Sequence, residues 1–317
     1  MRAFITGGAG FIGSNLADRL LNAGHEVVVY DNFSTGQQEF VEHNLKNEKY
    51  FLVEADVLDK PSLTNSMRDC DFVFHFQANA DVRGGVKNTM IDLEQNIIGT
   101  HNVLESMKIN DIRKIAFSSS ATIYGEPETI PTPEDISPLQ TSLYGASKYS
   151  AEALIQSYCE YFEMQSWIFR FVSFMGPRYT HGVIFDFLKK LKKDPTELEI
   201  LGDGSQRKSY LHVDDGINAI FLAIEKSNKK INIFNLGNKE WINVNDLADI
   251  VCETLKLTNV KYIYTGGKRG WIGDTPFVHL DIRRISDLGW KPEHSVADTI
   301  KNTIHYLSVN EHLLYAR

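Results

Sequence analysis

Thr6-Gly7-Gly8-Ala9-Gly10-Phe11-Ile12-Gly13 closes a short apolar run, Arg2–Ile5, and opens an amphipathic stretch, Ile12–Asn22. Its glycines recur every third residue, and each has a separate use. Gly7 admits a tight turn, Gly10 lets backbone approach a pyrophosphate, and Gly13 lets helix and strand pack closely. An anion held there would sit on the free N–H groups and positive end of the following helix. The second candidate strand, Glu26–Tyr30, runs into Asp31, 18 residues after Gly13. A carboxylate at that point accepts hydrogen bonds from both hydroxyls of an adenosine ribose and repels a 2′-phosphate, which favours NAD over NADP. Asp56-Val57 follows the third strand, where side chains can frame the adenine; Asp56 alone also reads as a helix cap.

Further along the chain, the rhythm of the first half continues. Tyr50–Glu54, Phe72–Phe76, Ile115–Ser119 and Ser166–Phe171 read as further strands. Pro61–Met67, Asp92–Lys108 and Tyr144–Phe162 read as helices between them. Continuous apolar strands alternating with helices predict a doubly wound parallel α/β sheet covered on both faces. The clearest helical spacing is Leu93, Ile97, Val103, Leu104 and Met107. Beyond about residue 170, turn-rich pieces such as Gly202-Asp203-Gly204 and Thr265-Gly266-Gly267 predict a smaller, loop-rich lobe, with Ile233–Leu236 returning to the sheet. The expected division is residues 1–170 for the dinucleotide domain, with a return near 211–236, and 171–317 for the substrate lobe.

Composition narrows the partners. A chain of 317 residues suggests two domains at roughly 150 residues each. Its formal net charge of -8 argues against nucleic acid or an anionic membrane surface, which recruit clustered Lys and Arg. Cys70, Cys159 and Cys252 lie far apart with no Cys-x-x-Cys, against a disulfide scaffold or a cysteine-based zinc site and in keeping with a reducing cytoplasm. No apolar stretch approaches the ~18 residues of a membrane span. The N-terminal residues are expected to form a strand and not a signal peptide. No His, Asp and Glu spacing suggests a metal.

The chemistry is carried by Tyr144-Gly145-Ala146-Ser147-Lys148. At i and i+4, Tyr144 and Lys148 share a helix face. A tyrosine with a pKa near ~10 is a poor base at neutral pH, and a neighbouring ammonium is expected to stabilise its phenolate. Ser118-Ser119-Ser120 closes the fifth strand at the C-terminal sheet edge, where ligands bind. Ser120 can share the proton of a reacting hydroxyl; Ser119 should alternate away and reads as a plain polar strand end.

With these residues in place, the chain resembles the extended short-chain dehydrogenase/reductase family, and within it the nucleotide-sugar epimerases. The motifs run in order along the whole length: TGGAGFIG, Asp31-Asn32, Asp56-Val57, SSSATIYG, YGASK, Arg170 to Gly176-Pro177, GDGSQRKSYLHVDD and LGW-KP. The resemblance implies a Rossmann sheet with a C-terminal nucleotide-sugar lobe, NAD as cofactor, and Tyr144 taking the sugar 4-OH proton with help from Ser120 and Lys148. It extends the cofactor contacts to Phe11, Ile12, Asn32, Phe76, Ala78, Ser118 and Asn96; Asn96 also reads as a buried polar group of its helix. It places the sugar diphosphate near Arg83, Ser173, His181, Arg207, Lys208, Tyr210 and Arg269. The three cations among the last four would form a local cluster, though each alone also reads as a solvated charge. Arg83 can reach the sugar or remain at the surface. His181 is read as a binding-loop residue and not a catalytic one.

The family's 4,6-dehydratases place an Asp-Glu pair where this chain has Ala121 and Thr122, and neither can act as the acid or base of water elimination. C4 redox chemistry remains. The shared motifs favour a nucleotide-sugar 4-epimerase working through a 4-keto intermediate. The alternatives are a 4-dehydrogenase releasing that product, for example on a GDP-linked heptose in polysaccharide biosynthesis, and a non-catalytic NAD-binding regulator. Ser173, Gln77 and Lys208 replace the family's asparagine, small residue and arginine, which suggests an altered sugar or base. Helices Asp92–Lys108 and Tyr144–Phe162 match the family's four-helix homodimer interface.

Overall fold

The computed structural model describes residues 1–315 of the chain. β1 (Arg2–Thr6) leads through the glycine turn into α1 (Phe11–Asn22), followed by β2 (Glu26–Asp31), β3 (Tyr50–Glu54), α2 (Lys60–Ser66) and β4 (Phe72–His75). A short α3 (Met90–Asp92), a π-turn segment (Leu93–Ile98) and α4 (Gly99–Ile109) precede β5 (Lys114–Ser120), α5 (Leu143–Tyr161) and β6 (Gln165–Phe171). Strand Ile231–Leu236 completes a seven-stranded sheet, next to β6, in the order Ile231–Leu236, β6, β5, β4, β1, β2, β3. β1 pairs in parallel with both β2 and β4, β2 with β3, and β4 with β5. The winding therefore reverses between β1 and β4, the switch point at which open α/β sheets bind ligands beyond their strand ends.

The inner strands β1, β2 and β4 are buried on both faces. Phe4, Val28, Val73, Ile115 and Ile168 are fully or almost fully buried with Leu63 of α2, Val103, Leu104 and Met107 of α4, and Ala151 and Ile155 of α5. Burying a Leu or Ile side chain contributes about 1.5–3 kcal/mol, so this layer is what holds α4 and α5 against the sheet.

The chain forms two units. One comprises Met1–Ile123, Ser142–Arg170 and Ile220–Phe234; the other Tyr124–Thr141, Phe171–Ala219 and Asn235–Arg317. Among the described residues of the second unit are helices Val183–Lys193, Val244–Thr254 and Val296–Val309, so its glycine- and proline-rich turns punctuate helices instead of replacing them. Helix Val183–Lys193 shows why: Ile184, Phe185, Phe187, Leu188 and Leu191 are buried while its lysines face out.

The helix expected over Asp92–Lys108 is not uniform. The π turn at Leu93–Ile98 adds a residue to the turn and rotates α4 relative to α3. Leu93 is consequently exposed, whereas Val103, Leu104 and Met107 hold the inward face. α5 starts cleanly because Ser142 is extended and its Oγ accepts the Gly145 N–H at 3.0 Å. Ser142→Ala should cost about 1 kcal/mol in a denaturant melt, and a melt unchanged by it would show that α5 draws nothing from the cap.

Candidate active site

The glycine turn is closed by backbone. A Cβ on Gly13 would lie 2.2 Å from the Gly7 carbonyl oxygen, and one on Gly7, at φ +70°, 2.7 Å from the Gln77 nitrogen. A Cβ on Gly10 would meet only the Gly7 oxygen, at 3.2 Å. Gly10 is also the N-cap of α1 and provides no side-chain cap. The first-turn N–H groups of a helix lack intrahelical partners, so this end is chemically suited to an anion. Phe11 is buried against the sheet and Ile12 half-buried.

Asp31 sits at the tip of β2, almost buried. Its Oδ2 accepts the Ala9 N–H and its Oδ1 the Phe33 N–H, both at 2.9 Å. Burial holds its carboxyl above the usual range. Next to it, Asn32 Nδ2 donates to Asp56 Oδ2 at 2.7 Å. Asp56 is not the cap of α2; that is Asp59, which accepts the Ser62 N–H, while Asp56 Oδ1 accepts the Leu58 N–H. Val57 is buried against Gly99, where a Cβ would come within 2.9 Å of it. Three strand tips are thus tied together on the nucleoside side of the turn, and Gly7, Gly10, Gly13 and Asp31 fit a dinucleotide.

At the tip of β4, fully buried His75 bridges Thr6 Oγ1 (2.7 Å) and Thr100 Oγ1 (2.9 Å). Burial drops its pKa to about 3, so the ring is neutral. Phe76, Gln77 and Ala78 follow, half-buried, with Gln77 Nε2 donating to Gln95 Oε1 at 2.8 Å. The Asn96 amide is fully engaged inside the protein. Its oxygen accepts the Asn79 N–H at 2.8 Å, and its nitrogen donates to Ser147 Oγ at 2.8 Å and Asp92 Oδ1 at 3.2 Å. Ser147 Oγ in turn donates to the Tyr144 carbonyl at 2.8 Å. Asn96 therefore braces the first turn of α5.

Tyr144 and Ser120 are neighbours, and the Ser120 hydroxyl eases the upward shift of the phenol. Ser120 Oγ also accepts the Thr122 N–H (3.2 Å) and hydroxyl (2.9 Å), which leaves its own proton for Tyr144. Thr122 thus has a place here that motif reading missed; the signal was its spacing of two from Ser120. Ser118 Oγ donates to the His75 carbonyl at 3.4 Å.

Burial dominates the charge of this pair: it pushes the Tyr144 phenol up to about 12, and Ser120 offsets only part of that. Lys148 is itself 2% exposed, and its pKa falls to about 7 because burial penalises its charge. Among the described residues no carboxylate lies within 4 Å of its Nζ, which rests 4.5 Å from the Phe117 ring centre. Ser119 is not an idle strand end. It is buried and donates to Glu152 Oε1, and Glu152 also takes Arg170 through Nε (3.0 Å) and Nη2 (2.8 Å).

In the second unit, Arg207 is exposed between the rings of Trp241 and Phe277, 5.2 and 4.9 Å from their centres. Lys208 is not a solvated charge: it pairs with buried Asp274 at 2.8 Å and also donates to the Thr275 carbonyl. Arg269 pairs with Glu126. Tyr210 is buried, and desolvation together with Asp274 raises its phenol. Ser173 is exposed opposite Tyr210 in a short parallel pair. His181 is exposed and stacked on buried Tyr179, centroids 5.9 Å apart. In the first unit Arg83 is exposed, and its N–H is held by Asp81 Oδ1.

Among the described residues no helix is long and apolar enough to cross a membrane, and no group of three or more His, Cys, Asp or Glu side chains could hold a metal. Residues 3–237 match the model of the NAD dependent epimerase/dehydratase family. A putative UDP-glucose 4-epimerase of Methanocaldococcus jannaschii is 34% identical over 96% of this chain and 98% of its own length. A crystal structure of a UDP-galactose 4-epimerase superposes with a TM-score of 0.88 at 36% identity, covering 98% of this chain and 99% of the other. The UDP-glucuronic acid 4-epimerase of Bacillus cereus, solved with UDP-glucuronic acid and NAD, gives 0.90 at 27% identity over 98% of this chain and all of its own. The turn, the Tyr144–Ser120 contact and this full-length likeness agree: the chain belongs to the NAD dependent epimerase/dehydratase family.

Proposed function

We propose that this protein is an NAD-dependent nucleotide-sugar 4-epimerase that works through a 4-keto sugar. The observation that carries the reading is Tyr144 beside Ser120 at the C-terminal sheet edge, on the helix that also bears Lys148. The chemistry that NAD would supply when bound is reversible hydride exchange with C4 of the sugar. Gly7, Gly10, Gly13 and the start of α1 would hold its pyrophosphate, and Asp31 its adenosine ribose. Tyr144 would take the 4-OH proton and give it back; Ser120 shares it. Tyr144 is the second residue of α5, so the positive end of the helix favours its phenolate. Lys148 would hold the nicotinamide ribose. Ala121 and Thr122 offer no acid–base pair for dehydration.

The epimerase relatives support a UDP-sugar, and lend nothing to a net 4-dehydrogenase or a silent NAD-binding regulator. We assign the nucleoside diphosphate to the second unit, with Arg207, Lys208, Tyr210, Arg269, Ser173 and His181 as candidate contacts and Arg83 on the sugar. A homodimer through the faces of Asp92–Lys108 and α5 accords with exposed Leu93, Ile98 and Tyr149; light scattering that finds a monomer contradicts it. The three free, buried thiols suit a reducing, cytoplasmic location.

The test is incubation with UDP-glucose, UDP-galactose, UDP-glucuronic acid and GDP-sugars, read by proton NMR for the 4-epimer. Reversible conversion of one pair supports the reading, whereas accumulation of a free 4-keto product contradicts it. Asp31→Ser removes both ribose acceptors and the tie to Ala9, so NAD affinity should fall about tenfold or more while NADP loses far less. Titration of each cofactor against the variant measures that ratio.

A further inference from the structure

The proposed chemistry leaves a buried ion pair unused, Glu152 with Arg170. Tyr144, Lys148 and Glu152 follow at four-residue spacing along one face of α5. Glu152 is fully buried and Arg170 almost so. Arg170 grips both carboxylate oxygens of Glu152, and Ser119 donates to one of them. Ser119 is the neighbour of Ser120. Three elements that must keep register for the reaction, β5, β6 and α5, are therefore tied at a single carboxylate one turn below Lys148.

Resting on the 4-epimerase reading, we propose that Glu152 is a positioning residue: clamped by Arg170 and Ser119, it fixes the Tyr144–Lys148 face against the strand end bearing Ser120 and is the anion that sets the charge of Lys148. The groups around Lys148 are few. β4 presents His75, β5 presents Phe117, its own helix presents Tyr144 and Glu152, and β6 presents Arg170 through Glu152. His75 is neutral, so Glu152 is the stabilising charge. Arg170 occupies that carboxylate in a two-pronged bond, which keeps it from drawing the ammonium away from the active-site end. A removable negative charge and a removable positive charge then act on the lysine with opposite signs.

The experiment tracks the lysine directly, in the full-length protein as purified, by the 13Cε shift of Lys148 against pH in selectively labelled samples. Glu152→Gln keeps the shape and deletes the negative charge, leaving Arg170 uncompensated; the Lys148 midpoint should move down by about one to two pH units. Arg170→Met deletes the positive charge, and the midpoint should move up. Either direction alone decides when the other variant does not fold; an unmoved midpoint, or one displaced the opposite way, overturns the charge role. Ser119→Ala alters no charge, so the midpoint should stay, with kcat lower by about three- to tenfold at every pH and an unchanged KM for the sugar nucleotide. Wild-type kcat in Ser119→Ala overturns the register role. A wild-type protein that turns over no nucleotide sugar defeats the 4-epimerase reading, while the titrations still read the lysine.

Discussion

Tyr144→Phe should leave a folded protein that still carries NAD and has lost at least about 10²-fold in kcat, the scale of a general acid–base contribution. The phenyl ring fills the same space, so the helix start capped by Ser142 and the Asn96–Ser147 brace remain in place. What disappears is the oxygen that meets Ser120. Ser120 is no substitute, since two of its contacts are donations from Thr122 and it has no strong base behind it. The sign of the pH dependence comes from the same group. Burial pushes the phenol up to about 12, so it is protonated at neutral pH. A group that must act as a base from a raised pKa gains activity as pH rises toward it. The kcat of the wild type should therefore climb above neutrality, and the residual rate of Tyr144→Phe should not. Epimer formation followed by proton NMR across pH reads both at once. A Phe variant with unchanged turnover, or with the wild-type slope, removes Tyr144 from the role of base.

The sheet was legible because its code is local. Arg2–Thr6, Glu26–Asp31 and Phe72–His75 are runs of residues that can bury both faces, and the glycine spacing after the first dictates the turn. Tyr144 and Lys148 were legible for a related reason: helical spacing alone puts them on one face. The charge state of the pair was not legible. It depends on how deeply α5 lies on the sheet, which is a sum over contacts from β4, β5 and α4 and is written in no single motif. Glu152 had a faint signal at the eighth residue beyond Tyr144, but its partner Arg170 arrives from another strand. Lys208 shows the same limit, since Asp274 is 66 residues away in sequence and turns an apparent solvated charge into a buried pair. The π turn was hidden because its period differs from the helix by one residue, and Leu93 therefore looked like part of an inward stripe that it does not join.

Gly13→Ala should lose more than nine-tenths of the bound NAD and unfold several degrees lower. Its Cβ would fall 2.2 Å from the Gly7 oxygen, 2.8 Å from Gly8 Cα and 2.9 Å from the Gly7 carbonyl carbon. All three are backbone atoms of the turn, so no side chain can swing aside. Relief requires α1 to move off β1 or the turn to open. Moving α1 strains Leu16, Ala17 and Leu20, which are buried against the sheet. Overpacking of this kind costs about 1–3 kcal/mol, occasionally more, and each kcal/mol moves Tm by roughly 2–4 °C in a unit of this size. Opening the turn also pulls Ala9 from Asp31 and so spoils the ribose end of the same site. A second glycine separates lost stability from lost cofactor. Gly24, at φ +84°, has nothing within 4 Å of its missing Cβ. Gly24→Ala carries only the cost of a left-handed backbone, about 1–2 kcal/mol, and should keep its NAD. Mass measurement of the cofactor released from both variants, beside their melting curves, distinguishes the two effects. Full NAD occupancy in Gly13→Ala would mean that the turn yields without loss and that the dinucleotide is held elsewhere.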